Sequence, residues 1–195
     1  LRTLAIDTAT AACSVALFDG GELVAHAHEV VGRGHAERLL PMIADLPASG
    51  RADRVLVDCG PGSFTGVRVG LAAARALGFG WGGQVAGYSS TALIAAQALA
   101  ADPSLAELAV ALTGGHGEWF VQCFTAEPFA IATELASLTP DAARAAIGAR
   151  ALFGTVEEAL PALPDARAAL RLPAPFSALP PSPIYGRAPD AKAPA

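Results

Sequence analysis

A chain of 195 residues with 53% hydrophobic content is long enough to bury a sizeable core as one domain or two small lobes. Its formal net charge of −5, with 13 Lys and Arg scattered and nowhere clustered, argues against strong direct binding to nucleic acid. Its three cysteines, Cys13, Cys59 and Cys123, sit apart in apolar stretches, as expected of reduced core thiols in a cytoplasmic protein rather than a disulfide framework or a metal site.

The N-terminus reads directly as a strand, with no signal-peptide pattern, and no apolar run is long and clean enough to span a membrane. Leu4-Ala5-Ile6-Asp7 predicts a buried strand ending in a carboxylate, Cys13 to Phe18 a second strand, and Glu22 to His28 a third after the turn Asp19-Gly20-Gly21. A helix is expected from about Ala36 to Leu46, with Ala36, Leu39, Leu40 and Ile43 on one face and Pro41 shortening or bending it. Next comes a strand over 55–59 and then the run Gly60-Pro61-Gly62-Ser63-Phe64-Thr65-Gly66-Val67-Arg68. Glycines at such a turn let backbone approach an anion or another backbone closely. The run is not a P-loop, because Val67-Arg68 stands where Lys-Ser/Thr is required, and its glycine spacing is one residue too long for a dinucleotide fingerprint. On chemistry alone it reads as a structural tight turn.

The helix that follows, about Thr65 to Phe79, carries Gly66, Gly70, Ala74 and Gly78 every four residues, a stripe without bulk along which another helix can approach. A strand at Gln84–Gly87 and a helix from Ser90 to Ala101 complete the order β-β-β-α-β-α-β-α. After the break at Asp102-Pro103-Ser104, Leu108–Leu112 and Glu118–Phe124 form a second hairpin around Gly114-Gly115-His116-Gly117. The signal then weakens to a helix near Pro140–Ile147, a strand at Ala151–Phe153 and a helix near Val156–Leu160. Pro and Ala dominate from Pro161, and the tail after Arg187 is expected to be mobile.

Three antiparallel strands followed by α-β-α-β-α make the half-unit of the actin-like, ribonuclease-H-like α/β fold. The expected organisation is a first lobe over 1–101, a reduced second lobe over 102–187 and a tail over 188–195. In that fold the turn after the first strand clasps nucleotide phosphates. Here it reads Asp7-Thr8-Ala9-Thr10, with Ala9 where a glycine would let backbone touch phosphate. Of the four histidines, His26 and His28 share one strand face, His35 sits at a helix start, and His116 lies in a turn. Their ordinary readings are an exposed strand face, a cap or hinge, and a solvated turn residue. No nucleophile–base arrangement can be argued from spacing.

Taken together, several segments resemble the TsaB (YeaZ) family, accessory subunits of the bacterial tRNA threonylcarbamoyladenosine synthase. They are Leu4 to Thr10, Cys13 to Leu17, Arg33 to Ile43, the Gly60 to Arg68 run and Gly117-Glu118-Trp119-Phe120. The likeness covers residues 1–124 and returns at Pro183-Ile184-Tyr185-Gly186-Arg187, which resembles the family's closing Tyr-x-Arg. The turn at Thr113–Glu118 departs from the family, lacking its acid and Arg. The resemblance implies a non-catalytic relative of the transferase TsaD that pairs with TsaD through its first two helices, in a complex completed by the ATPase TsaE. It further implies a homodimer when alone, contact with tRNA only through partners, and no cofactor. The metal-binding His pair of the catalytic relative falls here on Ser90 and Ile94, and neither can replace an imidazole.

The expected partner surface is Leu39, Leu40, Ile43 and Leu46 of the first helix with Gly66, Gly70, Leu71, Ala74 and Leu77 of the second. Asp7, Thr8, Thr10, Gly60 and Gly62 are then vestiges of a nucleotide site. The competing readings are an actin-fold ATPase or small-molecule kinase using Asp7 and the Gly60–Gly66 loop, and a glycopeptidase-like metalloenzyme.

Overall fold

The computed structural model describes residues 1–186. Arg187, which closes the Tyr-x-Arg resemblance, and the tail 188–195 lie outside the described residues. β1 (Arg2–Asp7), β2 (Ala12–Asp19) and β3 (Glu22–Val30) form an antiparallel meander. α1 (His35–Ala44), β4 (Arg54–Asp58), α2 (Phe64–Trp81), β5 (Gln84–Tyr88) and α3 (Ser90–Ala101) follow in the expected order. The five strands make one sheet, β3-β2-β1-β4-β5, with β4 parallel to β1 and β5 parallel to β4.

The remainder repeats this plan in reduced form. β6 (Glu107–Thr113) and β7 (Trp119–Thr125) are a hairpin, followed by the short β8 (Ala130–Ile131) and β9 (Ala136–Leu138), α4 (Pro140–Ile147), β10 (Ala151–Gly154) and β11 (Leu160–Pro161). The second sheet runs β11-β10-β6-β7-β8, with β9 also pairing β7. β10 lies parallel to β6 and β11 parallel to β10, as β4 and β5 do beside β1. The helix expected near Val156–Leu160 is instead a turn leading into β11. Val156 and Ala159 are both buried three residues apart, which mimics helical spacing, but only five residues separate β10 from β11.

The sheets, their flanking helices and their topology make this an actin-like, ribonuclease-H-like α/β fold. Period-two alternation assigns each strand residue to a layer. Leu4, Ile6, Val15, Leu17, Val55 and Val57 point to the face covered by α1 and α2, while Ala5, Ala16 and Leu56 point to the opposite face. There they meet α3, whose other side packs on Leu108, Val110, Leu112, Phe120 and Phe124 of the second sheet. α3 is therefore apolar all round because it is sandwiched between two sheets. α4 covers the far face of the second sheet, with Ala143 and Ile147 against Ala109, Ala111, Val121 and Cys123.

The small stripe on α2 is filled from within the chain. A Cβ at Gly66 would lie 2.1 Å from the carbonyl oxygen of Thr8, one at Gly70 2.5 Å from Thr8 Oγ1, and one at Gly78 2.3 Å from Val85 Cγ2. Ala74 and Leu71 are buried in the same layer. The stripe is how α2 approaches β1, β4 and β5, so no groove remains for a partner's helix. Leu39, Ile43 and Leu46 are likewise buried in that core. Of the nine residues expected at a partner surface, only Leu40 is exposed and Leu77 half-buried.

Candidate functional site

The two hairpin turns and the loop entering α2 enclose a cleft of about 910 Å³. Ala9, Thr10 and Ala11 line it from the β1–β2 turn, Gly62, Ser63, Phe64, Val67 and Arg68 from the start of α2, and Leu112 to Gly115 from the β6–β7 turn. Ile184 and Tyr185 close one side. In this fold the clasp on a nucleotide's phosphates would sit here.

The residues expected to make that clasp are engaged elsewhere. The Ser63 N–H donates to the Ala9 carbonyl at 2.7 Å, and Thr8 Oγ1 donates to the Gly66 carbonyl at 2.7 Å. A Cβ at Gly62 would lie 2.1 Å from the Ala9 oxygen, and one at Gly60 2.9 Å from the Ile184 oxygen. Gly60 also has φ +98°, in the region that favours glycine. The glycine-rich run thus admits the chain's own β1–β2 turn and C-terminal segment. Of the five expected vestigial positions, Thr10 and Gly62 line the cleft, while Asp7 and Thr8 are fully buried and Gly60 is covered by Ile184.

Asp7 is not alone. The register Ile6↔Val57 sets the strand ends side by side, so the next residues, Asp7 and Asp58, are neighbours in the core. Asp7 Oδ1 accepts from the Ala9 N–H at 3.2 Å, and the buried Tyr88 hydroxyl lies 3.4 Å from Oδ2. Asp58 Oδ1 accepts from the Gly60 N–H at 2.6 Å, while Oδ2 and the nearby Ser90 Oγ have no other hydrogen-bond partner. Burial first, then the Asp58 charge, holds the Asp7 carboxyl well above the usual range. Burial also pushes Asp58 up to about 6. Burial thus disfavours the charged form of both carboxyls. The sequence carried a signal for it: two apolar strands, Leu4-Ala5-Ile6 and Val55-Leu56-Val57, each end in Asp.

Among the described residues the cleft wall holds one charged side chain, Arg68, and no carboxylate. The Arg68 guanidinium lies 3.3 Å from the Phe64 ring centroid and 5.6 Å from that of Tyr185, and donates to the Tyr185 hydroxyl at 2.8 Å. Thr113 and Thr155 bond to each other across the opposite wall. A divalent cation would find no anionic ligand here. Ser90 and Ile94 are buried in α3 and face no solvent. His35 Nε2 is 3.1 Å from the Ala12 carbonyl and ties the start of α1 to β2. His28 lies 3.7 Å from Asp165, while His26 and His116 are exposed. The three thiols are buried, and burial pushes Cys13 up to about 11 and Cys59 to about 12, the reverse of an activated nucleophile.

Residues 27–136 match the family model described as TsaD, tRNA N6-adenosine threonylcarbamoyltransferase. Over 85 residues the chain is 48% identical to the tRNA threonylcarbamoyladenosine biosynthesis protein TsaB of Escherichia coli, and 47% identical to that of Haemophilus influenzae. Each match spans 41% of this chain and 36% of the relative, so the chain matches little more than a third of those relatives' length. Among solved structures, YeaZ from Pseudomonas aeruginosa superposes with a TM-score of 0.79 at 29% identity, covering 94% of this chain and 99% of that one. A second structure, described as an uncharacterized protein with similarity to peptidase YeaZ from Pseudomonas aeruginosa, gives 0.79 at 30% identity over 95% and 99%.

Proposed function

Because the chain belongs to the TsaB/YeaZ family, we propose that it is a non-catalytic subunit in the synthesis of threonylcarbamoyladenosine in tRNA, supporting a TsaD catalytic partner. The observation that carries this reading is the closure of the phosphate position by the chain itself. The glycine-rich run is packed on the β1–β2 turn, and Asp7, the acid an actin-fold ATPase would use, is fully buried against Asp58. The cleft offers no carboxylate to hold a metal–nucleotide complex. These features weigh against the ATPase or kinase reading. The burial of Ser90 and Ile94, which stand where the catalytic relative is expected to carry its metal-binding histidines, weighs against the glycopeptidase-like metalloenzyme reading.

The partner surface is then the outer faces of α1 and α2, which lie side by side, rather than their buried stripes. Leu40 is 54% exposed and Phe79 93%, with Ala44, Ala72 and Ala76 exposed around them. We infer that these exposed apolar side chains receive cover in the assembly. In this reading TsaD supplies it, a second copy of the chain does so in TsaD's absence, TsaE joins the assembled pair, and tRNA is reached through the partner. Sedimentation of the purified chain with TsaD tests the surface. The paired change Leu40→Asp and Phe79→Asp should abolish association while the far-UV spectrum and melting temperature stay within a few degrees of wild type. Undiminished association would move the interface elsewhere.

A further inference from the structure

Residues 177–186 cross the open edge of β5 and the loop entering α2 without joining either sheet as a strand. Three backbone bonds hold them: Gly87 and Leu179 exchange N–H···O bonds at 2.7 and 3.0 Å, and the Ile184 N–H donates to the Cys59 carbonyl at 2.7 Å. Pro180, Pro181 and Pro183 have no N–H to add. The other attachments are side chains of the body reaching out. Arg54 donates to the Ser177 carbonyl at 2.6 Å, Arg75 to the Pro181 carbonyl at 2.5 Å, and Arg68 to the Tyr185 hydroxyl at 2.8 Å.

Beyond Ser177 no residue of this segment is fully buried, whereas what lies beneath it is: Cys59 and Gly87, with the Cys59 thiol 3.7 Å from the Pro180 carbonyl. The segment's apolar anchors are the half-buried Leu179 and Ile184, and three arginines of the body, Arg68 and Arg75 exposed and Arg54 half-buried, do much of the holding. Segments with few buried contacts occupy the low-stability end of a fold and open before it unfolds. Ile184 and Tyr185, which close one side of the cleft, belong to this segment.

We propose that residues 177–186 form a latch, clamped by Arg54, Arg68 and Arg75, that undocks as a unit from the folded protein and opens one wall of the cleft between the two hairpin turns. Undocking uncovers Cys59 alone among the three cysteines. Cys13 lies in β2 under α1, and Cys123 lies under α4, and no hydrogen bond joins the latch to either.

Two measurements on the full chain under native conditions test this. The first is alkylation by iodoacetamide, resolved by cysteine with mass spectrometry. Cys59 should react at least about tenfold faster than Cys13 and Cys123. Arg75→Ala should raise the Cys59 rate about fivefold, the equivalent of one exposed charge-assisted hydrogen bond, and leave the other two unchanged. The second, which needs no variant, is amide exchange. The Gly87, Leu179 and Ile184 amides should exchange at one common rate, faster than the Ile6 and Val15 amides of the central strands. A single rate for all three thiols, a Cys59 rate indifferent to Arg75→Ala, or exchange of the latch amides only together with the central strands would overturn the proposal.

Discussion

Asp7 and Asp58 end neighbouring parallel strands and share a buried space, and that placement makes a signed prediction. Both carboxyls titrate above their ordinary range in the folded chain, Asp58 at about 6 against about 3.9 for a free aspartate. Between those values the folded state holds protons that the unfolded state has released. The pair's contribution therefore favours folding at low pH and is lost as pH rises through about 6. Asp58→Asn keeps an acceptor for the Gly60 N–H and gives Asp7 an amide donor. Denaturant titrations at pH 4 and pH 7.5 should show the variant gaining on wild type as pH rises, by on the order of 2–3 kcal/mol. A gain that shrinks with pH would refute the buried pair. Gly66 gives a second test at this scale. Gly66→Ala sets a methyl against the backbone oxygen of Thr8, with no flexible atom to yield, and should cost about 3 kcal/mol or more in chemical denaturation.

At the scale of elements, α2 separates what the sequence told from what it withheld. Its approximate span and its small-residue stripe were legible as pattern, whereas its N-terminal cap at Ser63 was not read from the sequence. Which side that stripe faces was not, because close approach to a sheet and close approach to a partner's helix both ask for residues without bulk. The structure puts Gly70 over Thr8, Val57 and Ile6. Gly70→Leu should therefore lower the melting temperature by more than ten degrees or prevent folding. Ala72→Leu, on the exposed face of the same helix, should leave it within a few degrees. Equal tolerance at both positions would contradict the packing described. The hairpins were legible from apolar strands joined by turn glycines, and α4 stands where a helix was expected on a weaker signal. The latch was not, since a segment rich in proline has no period and its partners, Arg54, Arg68 and Arg75, lie about 106 to 123 residues away in sequence. Asp58 was missed for a related reason. Its meaning depends on the register of β4 against β1, which a strand pattern does not fix.

Across the whole molecule, the second sheet repeats the connectivity of the first but with shorter outer strands and one helix, while the cleft between their turns persists. The cleft is retained as shape, and the chemistry a nucleotide would need has been turned inward: the acid paired with another acid, the glycine loop closed on its own turn. Two of its large exposed apolar side chains, Leu40 and Phe79, stand on the outer helices. In the proposed reading the molecule acts through what it binds. The most direct test is formation of threonylcarbamoyladenosine in tRNA by purified TsaD and its ATPase partner, supplied with an activated threonylcarbamoyl donor, with and without this chain. The account predicts product only when the chain is present. Asp58→Asn should support wild-type yield, and the Leu40→Asp, Phe79→Asp variant should support none. Full product without the chain would contradict it, as would ATP turnover by the chain alone that Asp7→Asn abolishes.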